Sequence, residues 1–289
     1  TRIFFSGLFD VQFRDFFIAD ELCSLGYLFT MLQLTACTYA TDWDDLDDHC
    51  DYQRSWVTPA IAALPPFWRL MQCLRRYYDS KAAWPHLANA FKYSGTIAIT
   101  FLAAADRITQ LTVWNVLWIV VSVFITGYAT FWDLYMDWGF FQPNSKHPLL
   151  RDELVFPYKS AYYFAMGSDL LLRAAWLLNI SPSLWGIFYD HRIVAFVLAV
   201  LEILRRFQWN FYRMENEHVN NCGNFRAIRE IPLPFALELF DNRRSQVEPA
   251  TPGLHSAFAN ECHTLGPDAS ANEHASLLHA HTAYPSSGS

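Results

Sequence analysis

Charge is what this sequence has least of. Asp, Glu, Lys and Arg make up 17% of its 289 residues, against about 25% in an ordinary globular protein. That shortage argues against a soluble domain. The 21 Lys and Arg are outnumbered by 28 Asp and Glu and gather on no basic face, which excludes nucleic acid as a partner. The six Cys are scattered. Cys23, Cys37 and Cys73 sit in apolar runs, with no CxxC or CxxH pair, so neither a disulfide framework nor a zinc site is expected. No Walker loop, nucleophile elbow or haem motif occurs, so no enzyme activity and no cofactor are expected. The acidic run "DWDDLDDHCD" lacks the glycine and terminal Glu of an EF-hand loop and reads as an exposed acidic loop. "ENEHVNN" has no second His at metal spacing and reads as a polar cap. An initiator Met and a signal-peptide pattern are both missing, and the expectation is a fragment whose N-terminal part is absent.

Apolar and aromatic residues fill the space that charge leaves. The chain is 53% hydrophobic and holds 24 Phe, 14 Tyr and 11 Trp. A bilayer core of about 30 Å needs about 20 mostly apolar residues per helix. Six stretches qualify, and the predicted class is an all-α polytopic membrane bundle. They run over about Phe16–Ala40, Val57–Leu74 with a kink at Pro65-Pro66, Leu87–Ala105, Leu111–Trp138, Ser160–Ile180 and Ile193–Tyr212. Trp138, Tyr158 and Trp185 are expected as interfacial anchors.

Loop charges predict an orientation. The loop after the first span, "TDWDDLDDHCDYQR", carries six Asp and one Arg. The next holds Arg75, Arg76 and Lys81, and the loop between spans four and five holds Lys146, Arg151 and Lys159. By the positive-inside rule both ends of the chain are cytosolic and the Asp-rich loop faces outward. Residues 1–234 form the membrane domain in this reading. Residues 235–289, rich in Ala, Ser, His, Pro and Gly, read as a disordered cytosolic tail whose histidines are simply solvated.

The chemistry lies in ionisable residues inside the spans. Each costs roughly 2.5–3.5 kcal/mol at bilayer depth, so such residues face a bundle interior and pair. They are Asp20 and Glu21, Lys92 (with Tyr93), Asp133 and Asp137, Asp169 and Arg173, and Glu202, Arg205 and Arg206. Asp133/Asp137, Asp169/Arg173 and Glu202/Arg206 are each four apart, on one helix face. Arg205 and Arg206 leave their helix about 100° apart, so one can face a pathway while the other meets acids of a neighbouring helix, Asp133 or Asp137. Charge count alone suits a proton-coupled cation carrier equally well, and the bland alternative is that the charges only pin helices together. Residue type favours an anion, because the arginine fork matches phosphate oxygens.

The stretches "DFFIADELCSL", "WRLMQCLRRYYDSKAAWPHLANAFKYS", "FWDLYMDWGFF", "SDLLLRAAW" and "LEILRRFQWNFYRMENEHVNNCGNFRAIREIPLP" resemble the EXS domain of the SPX–EXS phosphate exporters, a family with animal, plant and fungal members. The resemblance covers roughly Arg2 to Pro234. It implies export of inorganic phosphate from the cytosol through a site built by Asp20, Lys92, Tyr93, Asp133, Asp137, Arg173, Trp176, Glu202, Arg205 and Arg206. One departure is Cys23, where the animal exporter carries Asn. The resemblance also implies an SPX domain sensing inositol pyrophosphates in the full-length protein, with the plasma membrane as location. A homodimer is an open arrangement. The alternatives are a Golgi or ER membrane protein acting in sorting or glycosylation homeostasis, and a structural or signalling membrane partner.

Overall fold

The computed structural model describes residues 2–43, 50, 55–143, 145–179 and 191–220, with side chains of the last segment from residue 193. Everything described is helix or connecting turn. The order is α1 (Phe13–Cys23), α2 (Gly26–Ala40), α3 (Val57–Ala62), α4 (Leu64–Ser80), α5 (Ala83–Thr109), α6 (Thr112–Trp132), a π-helical turn (Asp133–Asp137), α7 (Lys159–Arg173), a 3₁₀ turn (Ala174–Asn179) and α8 (His191–Asn220). The tail over 235–289, Trp185 and most of the Asp-rich loop lie outside the described residues.

Two expected spans are broken. The first is a pair, α1 and α2, bent by 67° at Ser24 and Leu25. The second breaks at Ala63, between α3 and α4. Pro65 and Pro66 are not a mid-helix kink. They sit in the first turn of α4, where a missing N–H costs nothing. Among the described residues one helical stretch, Thr112–Asp137, is both long and apolar enough to cross a membrane, or two if the bent pair counts as one span. Helices α5 and α8 have the length, at 27 and 30 residues, but carry more polar side chains.

α5 packs between α4 and α6, α1 lies on α4, and α7 pairs with α8. Gly95 lets α5 and α6 approach closely: a Cβ there would come within 2.2 Å of the Ile125 side chain. An aromatic core at one end joins Trp138, Phe140, Tyr162, Trp209 and Tyr212. Trp138 is fully buried there, which corrects its reading as an interfacial anchor. Its ring lies 5.0 Å from that of Tyr212, so burial in the bundle replaced the headgroup contact.

The cysteine reading is also corrected. Cys37 and Cys50 form a disulfide. They are thirteen residues apart in sequence, and no short-range motif could reveal that α2 returns its end to Cys50. Cys23 and Cys73 are free, and both pack near Ala90 and Tyr93.

"ENEHVNN" is not merely a polar cap. Glu215, Asn216 and Glu217 are buried, and the first two clamp the segment that follows α6. Glu215 pairs with Arg151 at 2.7 Å and accepts from the Tyr162 hydroxyl at 2.6 Å and the Val155 N–H at 2.8 Å. The Asn216 amide donates to the Asp137 carbonyl at 2.9 Å. Gly139 permits this approach, since its φ is +67° and a Cβ would lie 2.7 Å from Asn216 Oδ1.

Candidate functional site

Burial is inverted relative to a soluble protein. Large apolar side chains point outward, including Val113, Val116, Val120 and Val123 on α6 and Ile193, Phe196, Val200 and Phe207 on α8. Charged side chains point inward: Asp169 is 0% and Asp133 and Arg205 are 2% exposed. The buried charges gather where α1, α4, α5, the π turn, α7 and α8 meet.

Arg205 is the hub. Its Nε and Nη2 donate to the two oxygens of Glu202, at 2.8 and 2.7 Å. Its Nη1 donates to Asp133 and to Asp169, both at 3.1 Å. Arg173 also donates to Asp133 and lies 3.8 Å from Asp169. Three carboxylates therefore take four of the five N–H donors of one guanidinium, the pairing a buried charge requires. Glu202 pairs with Arg205, three residues on, and not with Arg206 as the four-residue spacing suggested. The fork geometry of Arg205 takes both Glu202 oxygens and leaves none facing Arg206.

Arg206 has a different setting. Its Nε donates to the Ser24 hydroxyl at 2.9 Å, and its guanidinium lies 4.5 Å from the Trp209 ring centre. Among the described residues no carboxylate lies within 4.0 Å of it. The two adjacent arginines thus differ in kind, one neutralised and one held by a neutral hydroxyl and a ring face.

The π turn decides between the two acids expected as alternative partners of an α8 arginine: Asp133 meets Arg205 and Asp137 does not. The Trp138 N–H donates to the Asp133 carbonyl five residues back, at 2.9 Å, so the chain is underwound out of α-helical register between the two acids. Asp133 meets Arg173 and Arg205. Asp137 lies instead between Lys92, at 3.9 Å, and Arg213, at 4.0 Å. These distances exceed hydrogen-bond range, so the second pairing is looser than the first. Lys92 also lies 4.9 Å from the Tyr93 ring centre and 5.4 Å from that of Trp132.

Asp20 and Tyr93 belong to a third group that sequence reading left incomplete. The Tyr93 hydroxyl donates to Asp20. So does Arg69, through Nε at 2.8 Å. Arg69 was missed because "WRLMQ" shows a single arginine early in an apolar stretch, indistinguishable from one that snorkels. In the fold it is 5% exposed, 4.9 Å from the Tyr93 ring centre and hydrogen-bonded to Gln72. Asp169 and Arg213 also join the charged region, and its acid-then-arginine spacing with Arg173 had marked Asp169 as a pair. Trp176 stands apart from the ion pairs. Its indole N–H donates to Thr126 at 2.9 Å and its ring meets Trp118 edge-on at 5.7 Å.

In the charged region the buried donors Arg173 Nε and Arg213 Nε have no hydrogen-bond acceptor among the described residues. Among those same residues no group of three or more His, Cys, Asp or Glu could hold a metal ion. The arrangement can neutralise and orient an oxyanion.

The EXS family model matches residues 1–219. Phosphate transporter PHO1-1 of Oryza sativa subsp. japonica is 41% identical over 239 residues, covering 81% of this chain and 30% of the relative. The xenotropic and polytropic retrovirus receptor 1 homolog of Xenopus laevis is 39% identical over 249 residues, covering 80% and 36%. Solute carrier family 53 member 1 of Homo sapiens is 39% identical over 252 residues, with the same coverage. The chain therefore spans about a third of the length of these relatives.

Proposed function

Because this chain belongs to the EXS family, we propose that it is the membrane-embedded part of a phosphate exporter, and that phosphate passes through the charged region around Arg206. The observation that carries the proposal is the unequal treatment of the two arginines. Basic and acidic side chains are both well represented in the charged region, so net charge does not choose the sign of a solute. Distribution does. Arg205 is spent on three carboxylates, whereas Arg206 keeps a charge with no carboxylate in contact among the described residues. An arginine fork in a low-dielectric interior suits a tetrahedral oxyanion. Phosphate, as against another oxyanion, rests on the relatives, one of which is named a phosphate transporter.

The inverted burial supports a bilayer setting. In this reading α1 with α2, α3 with α4, α5, α6, α7 with the 3₁₀ turn, and α8 make six crossings, and the polar content of α5 and α8 is turned inward. The Cys37–Cys50 disulfide supports an outward-facing loop, because disulfides persist in oxidising compartments. The plasma membrane is the proposed location, with the Golgi as alternative. An SPX domain elsewhere in the full-length protein and a homodimer belong to the same proposal. For Arg205 itself the tight ion pairs favour the helix-pinning role.

The test uses the full-length protein in cells loaded with radiolabelled phosphate. Arg206→Lys keeps the charge and loses the fork. We expect efflux to fall roughly tenfold, the equivalent of about 1.4 kcal/mol, at unchanged surface abundance. Undiminished efflux would sink the assignment of phosphate to Arg206.

A further inference from the structure

We propose that Ser24 is the positioning residue for the phosphate-binding arginine, holding Arg206 by one edge with a neutral acceptor so that the rest of its fork stays open to the anion. The inference rests on the transport reading above and adds a residue to it.

Ser24 lies at the break between α1 and α2. That location matters for its hydroxyl. Within the helices, Thr35, Thr38, Ser94, Thr96 and Thr100 each turn their hydroxyl back to a carbonyl of the preceding turn. At the break Ser24 does not. Its Oγ donates to Glu202 Oε1 at 2.7 Å and accepts from Arg206 Nε at 2.9 Å. The direction of this chain is forced. A guanidinium only donates and an ionised carboxylate only accepts, so the single serine proton must go to Glu202 and a lone pair must face Arg206. Glu202 in turn accepts two bonds from Arg205.

The consequence is a fixed cation with no carboxylate in contact among the described residues. Trp209 covers the face of the guanidinium and Ser24 holds its Nε. Among the described residues Nη1 and Nη2 have no protein acceptor, and they form the edge that a phosphate can meet with two parallel bonds. A carboxylate in place of Ser24 would hold the same edge but cancel the charge. A methyl group would leave the charge and free the side chain to rotate. Only a hydroxyl or a similar neutral acceptor does both jobs.

The test measures saturable phosphate uptake into inside-out vesicles containing the full-length protein. Ser24→Ala is expected to raise the half-saturating phosphate concentration about five- to tenfold, since a hydrogen bond to a charged group is lost, with the maximal rate changed less than twofold. Ser24→Thr, which keeps the hydroxyl, is expected to recover most of that affinity. Ser24→Asp and Ser24→Asn differ by charge alone: Asp is expected to abolish uptake at normal abundance, and Asn to retain at least a third of it. A wild-type half-saturation for Ser24→Ala overturns the inference. Should that variant lower abundance, equal uptake by the Asp and Asn variants overturns it instead. If wild-type vesicles take up no phosphate, the transport reading falls and this one with it. If they do, a null result at Ser24 leaves the transport reading standing.

Discussion

Arg205→Ala is expected to cost the protein its fold before it costs transport. The side chain is 2% exposed and bonds to Glu202, Asp133 and Asp169. Removing it strands negative charge that has no water to turn to. Breaking a buried pair by deleting one partner costs about 3–5 kcal/mol. For a chain of this size that corresponds to a melting temperature lower by about 10 °C. Thermal unfolding of the detergent-solubilised full-length protein, followed by the loss of its monodisperse peak, measures this. Adding Asp169→Asn to Arg205→Ala should restore part of the loss by removing one stranded charge. A wild-type melting temperature for Arg205→Ala would show that the hub contributes nothing, and the distinction drawn between the two arginines would fail.

A loss of similar size is expected for Arg69→Ala. Its guanidinium bonds to Asp20, with both side chains about 6% exposed, and is flanked by the Phe16 and Tyr93 rings at 5.3 and 4.9 Å. With Arg69 gone, Asp20 keeps the Tyr93 hydroxyl but no charge in direct contact. About 3–5 kcal/mol is expected again. Asp20→Asn in the same background should be far milder than the sum of the two single changes, with a coupling of about 1–3 kcal/mol. If the two changes add within about 0.5 kcal/mol, the pair is not coupled. In that case Asp20 and Tyr93 are held by something other than Arg69.

The helices themselves were legible because their cause is local. An apolar run such as "VLWIVVSVFITGYATFW" has one way to satisfy its backbone in an apolar setting, and it appears as α6. The pairing of charges was less legible. Glu202 was placed on the right helix but with the wrong arginine, because spacing gives the angle between two Cα–Cβ bonds and not which oxygens a fork will take. Asp133 and Asp137 are alternative partners for an α8 arginine if both share one α-helical face; the π turn at Asp133–Asp137 removes that premise, and Asp133 alone meets Arg205. The Cys37–Cys50 bond and the bend at Ser24 left no mark that periodicity could detect.

From the residues alone came the helical class, the family resemblance and the set of charges within apolar helices, since each depends on composition or short-range order. Tertiary structure decided three things. It brought Arg69 against Asp20 across 49 positions of sequence. It seated Ser24 against Glu202 and Arg206 across 178 and 182 positions. It also neutralised one of two neighbouring arginines and not the other. The physical reason is the same in each case. An ion pair or hydrogen bond is settled within about 3 Å, and no local property of a chain fixes a distance between segments that far apart.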